Sequence, residues 1–126
     1  MKVRKTLVGS VLAAVLLSLG IQPVSAADAQ NKYKLRGLGA LTCSKYLDER
    51  RTDIKGTSRY ADWLTGYLTA YNFYQPQTFD IAPNHDANGL LTFLDLYCSK
   101  NQKQLIGQAA QAFVKAVHQK RQVSGQ

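Results

Sequence analysis

The sequence is poor in the residues from which active centres are usually built. Among its 126 residues there are two cysteines, two histidines, one methionine and one tryptophan. Cys43 and Cys98 stand far apart with no C-x-x-C spacing, so neither a zinc-ribbon nor a thioredoxin-type site is indicated. His85 falls in a turn beside an expected helix start and His118 near the end of the last helix. Neither has a cysteine, a Ser–Asp pair or a second histidine at ligand spacing, so no catalytic partner can be named for either. No H-E-x-x-H, G-x-S-x-G, P-loop or EF-hand pattern occurs. Asp80 and Asp86 flank one loop, and their simplest reading is a loop residue and a helix cap. The expectation is a protein that is not an enzyme and needs no cofactor and no metal. Period-2 segments long enough for a strand, internal repeats and low-complexity blocks are also missing.

Long apolar runs are equally scarce. The longest, Leu7 to Leu19, is thirteen residues and follows Lys2, Arg4 and Lys5, whereas a spanning helix needs roughly 20. With Pro23 after it and Val24 and Ala26 at the small-residue positions, residues 1–26 read as a secretory signal peptide cut after Ala26, with Ala27 the near alternative. The expected location is the periplasm, without a stable membrane anchor. Without the three cations of that segment, thirteen basic residues face eight carboxylates, a net charge of +5 in place of the whole-chain +8. These cations are scattered, which argues against nucleic acid as a partner. Both cysteines lie in the exported part, and an even count in an oxidising compartment predicts a Cys43–Cys98 disulfide.

The remaining hundred residues form one domain. Residues 27–40 are polar and glycine-dotted and read as a flexible N-terminal arm. Residues 41–119 read as the helical domain, and 120–126 as a flexible tail. A first helix is expected from Cys43 to about Ile54 with Thr42 as N-cap, carrying Lys45/Glu49 and Asp48/Arg51 at ion-pair spacings. The second, after Thr57 or Ser58, holds half of all the aromatic side chains. Tyr60, Trp63, Leu64, Tyr67, Leu68, Tyr71 and Tyr74 fall within about 140° of its circumference, and Phe73 points away. Such a stripe is a packing face, left partly wet because each tyrosine hydroxyl must find a partner or water. In the loop between Pro76 and Asn84, Phe79 and Ile81 are expected to tuck onto the domain. A third helix is expected from Asp86 to Ser99 and a fourth from Asn101, with Gln104 completing a capping box. The fold class is therefore all-α, a small four-helix orthogonal bundle with one disulfide.

Two segments carry a resemblance. LTCSKYL (Leu41 to Leu47) places the first cysteine at a helix start in a T-C-x-x-[FY]-[LI] pattern. FLDLYCSKNQKQLIGQA (Phe93 to Ala109) holds the second in a Y-C-x-x-N context. Together with Trp63 to Leu68 these segments resemble the HdeA/HdeB family of periplasmic acid-stress chaperones. The resemblance implies a four-helix, single-disulfide fold, a homodimer at neutral pH, and a holdase activity without ATP that exposes apolar surface in acid. Cys43 and Cys98 match the bridge of that family. Trp63, Tyr67, Tyr71, Phe73, Tyr74 and Phe79 are the expected client or partner surface. Protonating every carboxylate and both histidines would raise the charge of the exported part to about +15, and such self-repulsion destabilises a compact state. The alternative is a small periplasmic binding module similar to Rap1a/Tai-type immunity proteins, using Phe73 and the loop from Pro76 to Asn84.

Overall fold

The computed structural model describes residues 27–30 and 32–125. The expected signal peptide lies outside the described residues. The described chain divides into two units between Tyr33 and Lys34. In the first, the Asp28 carboxylate accepts the backbone N–H groups of Gln30 and Lys32 at 2.9 and 2.7 Å, a local turn. All the helices belong to the second.

Four helices make up that unit: α1 (Cys43–Thr52), α2 (Ser58–Tyr74), α3 (Ala87–Lys100) and α4 (Ile106–Val117). Short 3-10 helices lie at Gly37–Ala40 and His118–Lys120, and no strand occurs among the described residues. The all-α, four-helix, single-disulfide fold expected from the sequence is the one observed, and Cys43 and Cys98 are bonded with their Cα atoms 4.9 Å apart. The bridge joins the start of α1 to the end of α3. The latter is the central helix, touching α1, α2 and α4. The core is filled by Tyr46 from α1, by Tyr60, Ala61, Leu64 and Leu68 from α2, and by Leu90, Leu91 and Leu94 from α3. From α4 come Ile106, Ala109, Ala110, Phe113 and Val114.

Local chemistry explains most helix starts. The Thr42 hydroxyl accepts the Lys45 N–H at 3.2 Å and the Asp86 carboxylate accepts the Gly89 N–H at 2.8 Å, each satisfying a donor that the first turn leaves unpaired. The fourth helix departs from expectation. It begins at Ile106, not Asn101, and Asn101 instead closes α3, its side-chain amide donating to Tyr97 O at 2.8 Å. Residues 101–105 are drawn away from the helix by tertiary pairing. The carbonyls of Gln104 and Gln102 accept the N–H groups of Cys43 and Ser44 at 2.8 and 2.9 Å, and Ile106 N–H donates to Leu41 O at 2.9 Å. The first donors of α1 are thus satisfied by the turn before α4. Gln108, not Gln104, reaches back to the chain at the start of that helix, accepting Leu105 N–H at 2.8 Å.

The expected arm and tail are both tied in at their inner ends. Gly37–Ala40 touches α4 and α2, and Trp63 Nε1 donates to Arg36 O at 3.1 Å. A Cβ at Gly39 would lie 2.0 Å from the indole, so the backbone passes there only as glycine. Gln122 pairs with the loop instead of trailing free, accepting from Phe79 and Asp80 N–H and donating to Asp80 O at 2.7 Å. The compact unit therefore starts before residue 41 and includes chain beyond residue 119. In that loop Ile81 is fully buried, its N–H held by the Asn72 side chain at 2.8 Å, whereas Phe79 is 58% exposed and does not tuck in as expected.

Candidate functional site

The aromatic stripe of α2 divides along its length. Tyr60 and Leu64 are fully buried and Leu68 nearly so; Trp63, Tyr67 and Tyr71 are half-buried. Tyr74 corrects the sequence expectation, since it is 80% exposed beside Phe73 at 81%. The reason is depth, not facing: Leu68 is the last buried residue of α2, and the helix runs on past the core before Pro76 turns the chain. Phe73 and Tyr74 meet edge to face at 4.9 Å. The six expected surface residues are consequently not one patch. Trp63 and Tyr67 stack on each other with ring centres 5.8 Å apart, and the Tyr71 hydroxyl lies 3.3 Å from His118 Nδ1. Phe73 and Tyr74 crown the helix end. Phe79 stands across a groove of about 310 Å³ lined also by Thr69, Asn72, Asp80, His85 and Leu90.

The opposite end of α2 is latched to its neighbours by polar groups of which the sequence had paired only Lys45 with Glu49. Glu49 of α1 accepts hydrogen bonds from Arg59 at 2.6 Å and from the Tyr60 hydroxyl at 2.8 Å, with Lys45 Nζ at 3.4 Å. The guanidinium of Arg59, then the Tyr60 hydroxyl, hold the Glu49 carboxyl below the usual range. Burial, then the hydrogen bond given to Glu49, pushes the Tyr60 hydroxyl up to about 12. A second carboxylate, Asp95 of α3, accepts the Tyr46 hydroxyl at 2.6 Å and the forked guanidinium of Arg50 at 3.1 Å. Burial and that hydrogen bond raise the Tyr46 hydroxyl still further. Arg50 also donates to the buried Thr57 hydroxyl at 3.2 Å, and Thr57 donates to Ile54 O at 2.6 Å. Three helices therefore meet around two carboxylates. For Asp95 the sequence signal was limited to the i, i+4 spacing of Tyr46 and Arg50, which puts both on one face of α1 without naming a partner.

The ion pairs that were expected on α1, Lys45 with Glu49 and Asp48 with Arg51, both form. His85 is exposed, with its ring edge-on to Phe113 at 5.0 Å, and Asp80 and Asp86 act as turn and cap residues, Asp80 accepting Ala82 N–H at 2.9 Å. No group of three or more candidate metal ligands comes together among the described residues, and no helix among them is long and apolar enough to cross a membrane. The arrangement offers apolar rings on a cross-linked frame and two carboxylate latches, which is the chemistry of reversible association. Comparison with protein-family models, with curated proteins and with solved structures finds no match to this chain.

Proposed function

We propose that this is an exported, non-catalytic protein of the periplasm that holds unfolding client proteins through exposed apolar surface, without ATP or another cofactor, and responds to acid. The observation that carries the reading is the exposure of Phe73, Tyr74 and Phe79 at 81%, 80% and 58% on a frame closed by a disulfide. Three large rings in water around one helix end are unfavourable in the absence of something to cover them. The acid response is supported by the Glu49 latch. Protonating Glu49 takes away the negative charge that holds Arg59 and weakens the acceptor of the Tyr60 hydroxyl. That change loosens α1 from α2 and widens the apolar surface, while the Cys43–Cys98 bond keeps the loosened chain compact. The resemblance to HdeA/HdeB chaperones points the same way, and the homodimer it implies would use the same aromatic surface.

The experiment is suppression of client aggregation, followed by light scattering between pH 7 and pH 2, alongside dye binding to apolar surface. Protection and dye binding should both rise as pH falls, and a Phe73→Ser/Tyr74→Ser/Phe79→Ser variant should protect poorly at every pH. A flat pH response in both assays defeats the acid-holdase reading. A second reading is favoured by one specific point: the rings are already exposed in the folded, latched state. In it the protein is a binding module of the immunity-protein or inhibitor kind, and a one-to-one complex with a single folded partner at neutral pH would support it.

A further inference from the structure

A second surface lies along α2, away from its aromatic end. An open groove of about 430 Å³ runs between the segment Lys34, Leu35 and Arg36 and the exposed side of the helix at Asp62, Trp63, Gly66 and Tyr67. Its floor is unusual. Gly66 sits in the middle of a seventeen-residue helix, where glycine is the least favoured residue after proline. A close neighbour would explain it, but a Cβ built there meets nothing within 4 Å. Among the described residues no contact requires the missing side chain, and its effect is to leave the floor of the groove clear.

The walls are chemically distinct. On one side stands the Trp63–Tyr67 stack, with the indole pinned by its hydrogen bond to Arg36 O. On the other, Arg36 is extended (φ −126°, ψ 156°), and the N–H groups of Lys34, Leu35 and Arg36 have no hydrogen-bond partner among the described residues. Leu35 anchors this segment by packing on α4, where a Cβ at Gly107 would come within 2.4 Å of its methyl carbon. The alternation of extended chain then sends Lys34 and Arg36 to the other side. Neither side chain has an ion-pair partner among the described residues, and they outnumber the one carboxylate in the groove, Asp62.

We propose that this groove is a docking site for an extended acidic peptide segment of a partner protein. The segment lies over Gly66, pairs its backbone with the N–H groups of Lys34 and Arg36, which share one edge of the extended chain, and sets its carboxylates against the side chains of the same two residues. One of its apolar side chains rests on the Trp63–Tyr67 wall. A short extended edge with unpaired donors recruits a strand in this way, and the flanking charges choose its composition. The site is separate from Phe73, Tyr74 and Phe79 and does not depend on the acid response.

Trp63 is the single tryptophan of the chain, so its emission reports on this groove alone. The test is to pan a displayed library of random dodecapeptides against the natively purified protein at pH 7 and titrate the recovered peptides while following that emission. The expected recoveries are rich in Asp and Glu and shift the Trp63 signal saturably. They should bind roughly tenfold more weakly, or not at all, to Gly66→Gln and to Lys34→Glu/Arg36→Glu. Gln is a better helix former than Gly and its side chain enters open space, so Gly66→Gln should keep its full helical circular dichroism. Phe73→Ser/Tyr74→Ser should bind as the parent does, which keeps failure here distinct from failure of the holdase reading. Recovery of no peptides, recovery of basic or charge-free ones, a silent Trp63, or binding that survives both groove variants overturns the proposal. So does binding that appears only once residues 27–33 are removed, or self-association abolished by Gly66→Gln, because the groove would then belong to the chain's own N-terminal segment or to a second copy.

Discussion

Tyr60 and Tyr74 lie on the same helix and, at 100° per residue, within about 40° of the same face, yet one is 0% exposed and the other 80%. Behind Tyr60 stand α1 and α3, the Glu49 carboxylate takes its hydroxyl, and the Tyr46 ring meets it edge-on at 4.9 Å. Beyond Tyr71 and Asn72, which still meet His118 and Ile81, the helix runs past the core, and Tyr74 lies exposed with its ring edge to face against Phe73. Helical period therefore reports direction, while burial also needs something to be there. One end of α2 is built for holding the fold, and the other is left for contact.

The sharpest way to break that contrast is to remove both rings separately. Tyr60→Ala should cost about 3–5 kcal/mol in urea unfolding, as deletion of a buried aromatic does, and Tyr74→Ala should stay within about 0.5 kcal/mol of the parent. Equal costs would mean that α2 is not divided as described. Opening the disulfide, by reduction or by Cys43→Ser/Cys98→Ser, should cost about 2–4 kcal/mol, chiefly through the unfolded chain. An unchanged midpoint on reduction would remove the frame from the account.

The latches should respond more modestly. Asp95→Asn replaces a forked, charge-assisted contact by a neutral one while leaving Tyr46 with an acceptor. Because Asp95 is partly exposed, about 1–2 kcal/mol is expected from thermal unfolding at pH 7. A Tm equal to the parent's would show that Arg50 finds equivalent partners without it. The smallest effect concerns pH and Glu49. Its folded pKa is depressed, so the stability it contributes is full above its unfolded value of about 4.3 and is lost as pH falls through the lower folded value. Glu49→Gln should consequently be less stable than the parent at pH 7, with the gap closing only under strongly acidic conditions. A gap that persists unchanged to pH 2 would mean that the carboxylate's charge is not what Arg59 and Tyr60 read.

Much of this architecture was legible from local pattern. Thr42 and Asp86 were expected to cap and do so, because a cap satisfies a donor only three residues away. Ile106, Ala109, Ala110, Phe113 and Val114 recur in the sequence at a 3.6-residue period and are buried in α4, and the loop residue Ile81 went where an apolar side chain flanked by turns should go. Misplaced features share one cause. The start of α4 moved because residues 102 and 104 supply carbonyls to the distant first turn of α1, Phe79 lost its place to Ile81, and Tyr74 lies past the last buried residue of its helix. Of the candidate surface, Phe73 could be placed from facing alone. The groove at Gly66 could not, since an exposed mid-helix glycine has meaning only once the space above it is known.

Taken alone, the order of residues settled the helical class, the cap positions and the pairing of the only two cysteines, for each depends on spacing along the chain or on there being no other choice. Which tyrosines are enclosed, which carboxylates hold α1, and which rings face water were decided by the tertiary arrangement. Those outcomes join groups such as Tyr46 and Asp95, forty-nine positions apart. No local preference reaches so far, and only the closing of the fold brings such partners within the distance at which a hydrogen bond can form.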